Sequence, residues 1–514
     1  MIGRTERDRP AERRIRKVLV ANRGEIAVRV FQTCRELGIG TVAVHSEADV
    51  ASPHRFAADE SVLLGPAPAT ESYLRADRVI EAARRSGADA IHPGYGFLSE
   101  NASFASEVEE AGITFLGPTG EQIAAMGDKV EARRRMEAAG VPVIPGTEGP
   151  VGPEDLRAEA ERIGFPLLLK AAGGGGGKGI RKVDSIGEVE AAYERTTREA
   201  GAAFGDSRVY LERFVHPSRH VEVQVLGDGR GNGLFLGERE CSLQRNHQKL
   251  VEETPSPAIS DAVRARMREA SLAGVAALSY RGAGTFEYLY DEAREEFYFL
   301  EMNTRLQVEH PVTEQVTGLD LVAEQLAIGE GRSLEGVPEP TRRGASVEFR
   351  IYAEDPYRGF RPSTGTIRAL RLPHTPFGRI DANLRDGQEI TPWYDPMLAK
   401  AIAWGPTRLQ AIDRLIALLS RIRIGGIHTT VPLGIEICRS EFFRAGDFHT
   451  GTLEEWLDRP ELPRERPELL ERLAAIIARD QIGARRPVGE EAPADGGSWG
   501  RVGRLEGTGR RARP

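Results

Sequence analysis

The stretch that most constrains this chain runs from Gly284 to His310. Two strand-like runs, Gly284-Thr-Phe-Glu-Tyr-Leu-Tyr290 and Phe297-Tyr-Phe-Leu-Glu-Met302, flank a charged segment, Asp291-Glu-Ala-Arg-Glu-Glu296, that reads as the turn of a hairpin. A turn centred on Arg294 sets Glu287 directly opposite Glu301; a neighbouring register is the alternative. The second run continues as Glu301-Met-Asn-Thr-Arg-Leu-Gln-Val-Glu-His310, with every odd position polar. While the backbone stays extended, residues i and i+2 share a side. One face then carries Glu301, Asn303, Arg305, Gln307 and Glu309, and the other Met302, Thr304, Leu306 and Val308. A plain solvated strand face is the competing reading, but such faces seldom mix Asn, Arg and Gln this way. Opposed carboxylates about 4 Å apart repel by roughly 4 kcal/mol at intermediate dielectric. A hard divalent cation between Glu287 and Glu301 removes that cost, and Asn303 offers a third oxygen. His310-Pro311 ends the pattern, because a residue before Pro stays extended and Pro cannot join a central ladder.

The length of 514 residues predicts roughly three domains. Charged residues make up 28% and hydrophobic ones 40%, an ordinary globular balance. A net charge of -8 argues against a nucleic-acid partner. No apolar run reaches the ~18 residues that span a bilayer, so no membrane role is expected. Met1 to Arg16 is crowded with charge and carries Glu6, Asp8 and Glu12, unlike a signal or transit peptide. Cys34, Cys241 and Cys438 form no disulfide framework, which suits a reducing, cytoplasmic setting. Cys241 is read as a small buried residue.

Lys17-Val-Leu-Val-Ala21 reads as a buried strand, followed by the turn Asn22-Arg-Gly-Glu25. A helix with Ile26, Val30, Phe31, Cys34 and Leu37 on one side is stopped by Gly38, and Thr41–His45 is the next strand. Strand, helix, strand means a parallel α/β unit. Residues 88–101 read as a third strand ending in a Gly/Pro turn, and Met126-Gly-Asp-Lys129 opens a charged helix. Phe165-Pro-Leu-Leu-Leu-Lys170 is an apolar strand whose Lys needs an anionic partner, phosphate being the natural candidate. The run Ala171-Ala-Gly-Gly-Gly-Gly-Gly-Lys-Gly179 is no Walker P-loop, and the strand-like Ile180-Arg-Lys-Val183 follows it. It is a glycine loop whose backbone N–H groups can approach an anion. Glu240-Cys-Ser-Leu-Gln-Arg-Asn-His-Gln-Lys249 reads as a polar loop. Ser346–Tyr352 reads as a strand with Val347, Phe349 and Ile351 inward and Glu348 and Arg350 outward. An amphipathic helix over Leu469–Ile477 precedes a Gly/Arg/Pro-rich end expected to be disordered.

With Glu301-Met-Asn-Thr-Arg-Leu-Gln-Val-Glu-His-Pro-Val-Thr-Glu314, the glycine loop and residues 88–101 in view, the chain closely resembles the biotin carboxylases from about Ile15 to about Trp456. These are the ATP-grasp components of acetyl-CoA, propionyl-CoA, pyruvate and related carboxylases. The resemblance implies a mixed α/β and α+β fold. A Rossmann-like N-terminal domain would span 15–127 and an ATP-grasp domain 128–340, with a glycine-rich lid over about 141–215. A C-terminal mixed β domain would span 341–456, and a helical, then disordered tail 457–514. It implies ATP and Mg²⁺ (or Mn²⁺) as cofactors, bicarbonate as substrate, and biotin supplied in trans. Lys129, Lys170, Gly174, Gly175, Gly176 and Gly177 would enclose the phosphates. Glu212, Arg213 and Val215 would hold adenine against Leu289, His220 would contact the nucleotide, and Gln244, His247 and Lys249 would surround the triphosphate and bicarbonate. Glu287, Glu301 and Asn303 would be metal ligands, Glu309 the general base, and Arg305 the bicarbonate site beside Gln307 and Val308. Arg350 would meet the reacting biotin. The reaction implied is ATP-dependent carboxylation of biotin through carboxyphosphate, the first half-reaction of an acyl-CoA carboxylase or of a two-subunit pyruvate carboxylase. Another ATP-grasp ligase would share the metal and lid residues but not Arg305, Gln307, Glu309 and Arg350 together; a non-catalytic nucleotide-binding regulator is the remaining rival. Carriers in this family present biotin on a Lys flanked by Met, and none of the six Met here adjoins a Lys. The expected partners are therefore a separate biotin carboxyl carrier protein, a carboxyltransferase subunit, and a second copy of the chain in a homodimer.

Overall fold

Val18, Leu19 and Val20 are fully buried, and they sit at the centre of a parallel sheet. Its strand order is Glu60–Gly65, Gly40–Ser46, Lys17–Val20, Ala90–His92, Thr114–Phe115. Every pair in it is parallel, so both faces are covered and the strands read as apolar runs. The order reverses beside Lys17–Val20, and ligands of such sheets sit outside the strand ends at that reversal. There the turn at Asn22 meets the turn at Pro93: Asn22 Nδ2 donates to the carbonyls of Pro93 (2.8 Å) and Tyr95 (2.7 Å). Gly24 (φ +70°), Gly94 (φ +64°) and Gly96 (φ +67°) supply the left-handed residues these turns require. This is the expected Rossmann-like unit. The computed structural model describes residues 14–173, 179–246 and 248–459; Gly174, Gly175, Gly176, Gly177, Lys178, His247 and the Leu469–Ile477 segment lie outside them.

A small three-stranded sheet, Ile180–Val183, Leu167–Ala171 and Val209–Arg213, packs Leu167, Leu169, Val183 and Leu211 against helices Leu156–Ile163 and Val189–Phe204. The main sheet has eight strands. Their order is Glu296–Asn303, Arg281–Asp291, Arg219–Asp228, Gly233–Arg245, Gln248–Thr254, Ala345–Tyr352, Met397–Gly405, Gly378–Ala382. All its neighbours are antiparallel. The seam between Gln248–Thr254 and Ala345–Tyr352 carries this sheet across the boundary expected near residue 340.

Alternation sorts the two faces. Val221, Val223 and Val225 pack with Met267 and Val275 of the helix Asp261–Leu278. Glu222 and Gln224 point the other way. Register then lines up a row of charge across the strands. Glu301 lies opposite Glu287, Glu287 opposite Glu222, and Glu222 opposite Arg239. On the next strand, Glu252 lies opposite Glu348. The hairpin register with Glu287 opposite Glu301 is the one expected from a turn at Arg294.

Three expectations are corrected. Residues 240–249 are not a loop: Gly233–Arg245 and Gln248–Thr254 are paired strands, polar because their charged face is buried among other charges. Glu348 and Arg350 do lie opposite Val347, Phe349 and Ile351, but their face is buried too, so neither points to solvent. His310 does not stay extended; it opens the helix His310–Thr317, with Pro311 in the first turn, where a missing N–H costs nothing. Among the described residues no helix is long and apolar enough to cross a membrane.

Candidate active site

A cavity of about 960 Å³ opens between the turns of the parallel sheet, the small sheet and the charged face of the main sheet. Its lining includes Lys129, Lys170, Arg213, Val215 and Leu289, then His220, Gln244, Lys249, Glu287, Glu301 and Asn303, and also Arg305, Gln307, Val308 and Arg350. Every described residue expected at the site is thus gathered at one cavity, except that Glu212 and Glu309 stand just behind the wall.

Local structure explains the placements. Asp128 caps the helix Lys129–Ala138, accepting from the N–H groups of Val130 and Glu131, so Lys129 is fixed at its first position. Its ammonium lies 3.7 Å from Glu301. Lys170 is buried, and its anionic partner within the protein is Glu212, at 2.5 Å; Arg133 shares that carboxylate at 3.2 Å. Glu212 therefore neutralises cations and does not face the cavity. The Arg213 N–H donates to Pro145, and its guanidinium donates to the Tyr298 hydroxyl at 2.6 Å.

In the middle, Lys249 is the hub. Its ammonium donates to Glu222 (2.5 Å), Glu287 (2.8 Å) and Glu309 (2.8 Å). Burial alone would lower its pKa, but these carboxylates hold it well above the ordinary lysine value. Glu287 also meets His220 Nε2 at 2.9 Å and accepts from Asn303 Nδ2 at 2.8 Å. Burial works against the Glu287 anion, yet Lys249 and His220 hold its pKa below the usual range. The repulsion expected between Glu287 and Glu301 is therefore taken up by cations of the protein. Glu301 keeps a half-open carboxylate toward the cavity. Two carboxylates across a hairpin are hard oxygen donors, which fit Mg²⁺ or Mn²⁺; the Asn303 amide beside them turns its Nδ2 to Glu287 and its Oδ1 to Arg305. Cys241 is buried and packs near Glu222 and Glu309; burial pushes its thiol far up, so it stays neutral.

At the reaction end the strand stops at Asn303, yet Arg305 keeps the odd residues together. It donates to Asn303 Oδ1 (3.0 Å), Gln307 Oε1 (3.1 Å) and Glu100 Oε2 (2.8 Å). Glu309 has no exposed surface. Its Oε1 accepts from Lys249 and its Oε2 from Arg350, at 2.9 Å. Burial alone would raise its pKa, but Lys249, Arg350 and Arg239 together hold it well below the carboxylate range. Arg350 also donates to Glu252 at 2.5 Å. Burial pushes Glu252 up to about 7, against the pull of Arg350, and also pushes Glu348 well above the usual carboxylate value.

Several residues of this network were not anticipated from the sequence: Glu222, Arg239, Glu252, Glu348 and Lys400. Arg239 is fully buried and pairs with Glu222, Gln224 and Thr313. A signal existed in Val221-Glu-Val-Gln-Val225, where Val alternates with Glu and Gln in a strand buried on both faces.

Comparison with known proteins agrees with this geometry. The family model "Biotin carboxylase, N-terminal domain" matches residues 14–123. "Carbamoyl-phosphate synthase L chain, ATP binding domain" matches 128–337, and "Biotin carboxylase C-terminal domain" matches 348–455. The biotin carboxylase of Pseudomonas aeruginosa is 49% identical over 447 residues, 86% of this chain and 99% of that protein. A pyruvate carboxylase subunit of Methanothermobacter thermautotrophicus is 46% identical over 468 residues, 90% of this chain and 95% of that protein. The biotin carboxylase domain dimer of Hydrogenobacter thermophilus 2-oxoglutarate carboxylase, solved with MgADP, ADP and bicarbonate, superposes with a TM-score of 0.82 at 44% identity, covering 87% of this chain and all of that one. A Campylobacter jejuni biotin carboxylase nucleotide complex gives a TM-score of 0.84 at 40% identity, with 87% of this chain and 100% of that chain covered. The chain therefore belongs to the biotin carboxylase family of ATP-dependent ligases.

Proposed function

We propose that this chain carboxylates biotin on a separate carrier protein, as the first half-reaction of an acyl-CoA carboxylase, with Glu309 as general base. The observation that carries this reading is the Glu309 carboxylate: buried, held by a different cation on each oxygen, and kept by those cations well below the usual carboxylate range. The nucleotide lies with its phosphates toward Lys129, Lys170 and Lys249. Glu287, Glu301 and Asn303 would hold Mg²⁺, which would supply positive charge against the phosphates. Bicarbonate lies at Arg305 and Lys249. Its negative charge draws on the cations that hold Glu309, which raises the affinity of that carboxylate for a proton. Glu309 takes the bicarbonate proton, a carbonate oxygen attacks the γ-phosphorus, and the bond to ADP breaks to leave carboxyphosphate. Carboxyphosphate splits to CO₂ and phosphate. The phosphate removes the proton of the biotin ureido nitrogen, Arg350 stabilises the resulting anion, and the nitrogen forms its bond to CO₂. Relatives solved as a dimer and with bicarbonate support a homodimer and that substrate.

The test is bicarbonate-dependent ATP hydrolysis with and without free biotin. Glu309→Gln keeps the shape and removes the base, so turnover should fall by roughly 10² to 10⁴ while Mg-ATP binding changes little. A collapse of ATP affinity instead would make Glu309 structural. An absence of biotin stimulation in the unaltered chain would favour another ATP-grasp ligase. The Methanothermobacter relative favours a second reading of the acceptor, pyruvate. Copurifying carboxyltransferase, assayed with acetyl-CoA, propionyl-CoA and pyruvate, separates the two.

A further inference from the structure

Lys400 lies wholly inside the protein, on the strand Met397–Gly405. Register sets it opposite Arg350, and directly opposed residues of an antiparallel pair share a face. Two cations thus stand side by side on the reaction face. Arg350 holds the side chain of Glu309. Lys400 holds the peptide just before it, donating from Nζ to the Val308 carbonyl oxygen at 2.8 Å. The ammonium also meets Glu25 at 3.3 Å and Asp381 at 3.7 Å. One side chain therefore ties together the first helix of the parallel sheet unit, the edge strand Gly378–Ala382 and the turn that carries Glu309. Residues 304–309 belong to no helix or strand, so that turn leans on outside donors for its shape. A buried ammonium is costly to desolvate; replacing a whole buried ion cluster by apolar side chains is often neutral or stabilising, whereas removing one partner alone is not. The bond from Lys400 to the peptide of Glu309 points to a role in placing that residue.

We propose that Lys400 is a positioning residue: its hydrogen bond to the Val308 carbonyl oxygen fixes the peptide that carries Glu309, and so keeps that carboxylate between Lys249 and Arg350. The proposal rests on Glu309 acting as the base. Lys400 does not line the cavity and touches no substrate; it acts through Glu309. Its loss leaves the neighbours with partners, since Asp381 keeps Arg379 (2.6 and 2.7 Å) and Glu25 keeps the Tyr95 hydroxyl.

The experiment is a double-mutant cycle on the full chain with Mg-ATP, bicarbonate and free biotin. Lys400→Met should lower kcat by roughly 10- to 100-fold, the scale of a small misplacement of a reacting group, with KM for ATP changed less than about twofold. Lys400→Arg should recover part of that loss. In the Glu309→Gln background, Lys400→Met should cost less than about twofold more, because the group it positions is already gone. A loss there as large as in the unaltered chain overturns the proposal. So does a Lys400→Met protein with lowered melting temperature and unchanged kcat, which would make the residue purely structural. If Lys400→Met does not fold, Lys400→Gln, which keeps a donor without the charge, carries the same cycle. Full activity of Glu309→Gln alone would instead refute the base assignment, and the two failures are told apart by that single variant.

Discussion

Arg350 bridges two buried carboxylates, so its removal acts twice. In the proposed mechanism Arg350→Ala takes the donor from the biotin anion, and it should slow biotin carboxylation by roughly 10² to 10³. It also frees one oxygen of Glu309, so bicarbonate-dependent ATP cleavage without biotin should fall as well, by about tenfold at most. Equal losses in the two assays would show that Arg350 serves only Glu309. Glu348 makes a different prediction. Its carboxyl is fully buried, neither oxygen has a hydrogen-bond partner, and burial raises its pKa well above the ordinary value. A carboxyl with a raised folded pKa contributes stability below its unfolded pKa and loses it as pH rises toward the folded one. Glu348→Gln removes that loss. The variant should melt close to the unaltered chain at pH 4.5 and above it at pH 8, with the gap widening between; thermal unfolding at both ends of that range is the measurement.

Hairpins and seams decide how the elements lock. Gly227 lies where three strands meet, opposite Gly233 and Gly282, and a Cβ there would stand 2.1 Å from the Tyr280 carbonyl oxygen. That neighbour is backbone and cannot swing away. Gly227→Ala should therefore destabilise by about 1–3 kcal/mol or more. Gly187 has nothing within 4 Å of its would-be Cβ, and Gly187→Ala should gain about 0.4–1 kcal/mol through the unfolded chain. Urea midpoints of the two variants should move in opposite directions. The same elements show what a sequence discloses. The 284–303 hairpin was legible because a charged turn separates two apolar runs, but two neighbouring registers stayed open until the pairing of Glu287 with Glu301 decided between them. The 240–249 hairpin was not, because strands buried on both faces among opposite charges lose the apolar–polar contrast that marks a strand. Of the site, Glu287, Glu301, Arg305 and Glu309 stood out by their spacing, whereas the roles of Lys129, His220 and Arg350 were readable only through resemblance. Lys400 and Glu252 were invisible because their meaning lies in cross-strand neighbours far away in the chain.

At the scale of the whole molecule, catalysis and stability draw on different cations. Lys249 and His220 already neutralise Glu287 within the protein. Stripping divalent metal with EDTA should therefore abolish ATP turnover yet shift the nucleotide-free melting temperature by no more than a degree or two, on the scale of a small surface effect. A large drop in melting temperature would show that metal holds the hairpin together. The seam in the eight-stranded sheet also sets an order of events during synthesis. Gln248–Thr254 takes its second neighbour from Ala345–Tyr352, about 90 residues later in the chain. At ribosomal speeds that interval lasts on the order of ten seconds. Throughout it the strand offers a raw edge of unpaired N–H and C=O groups, a template for wrong pairing. Glu252 and Glu253 on that edge repel a second copy of the same strand. A nascent chain halted near residue 340 thus carries the whole nucleotide end and a self-repelling acidic edge, while both cations that hold Val308 and Glu309 from the far side are still unwritten.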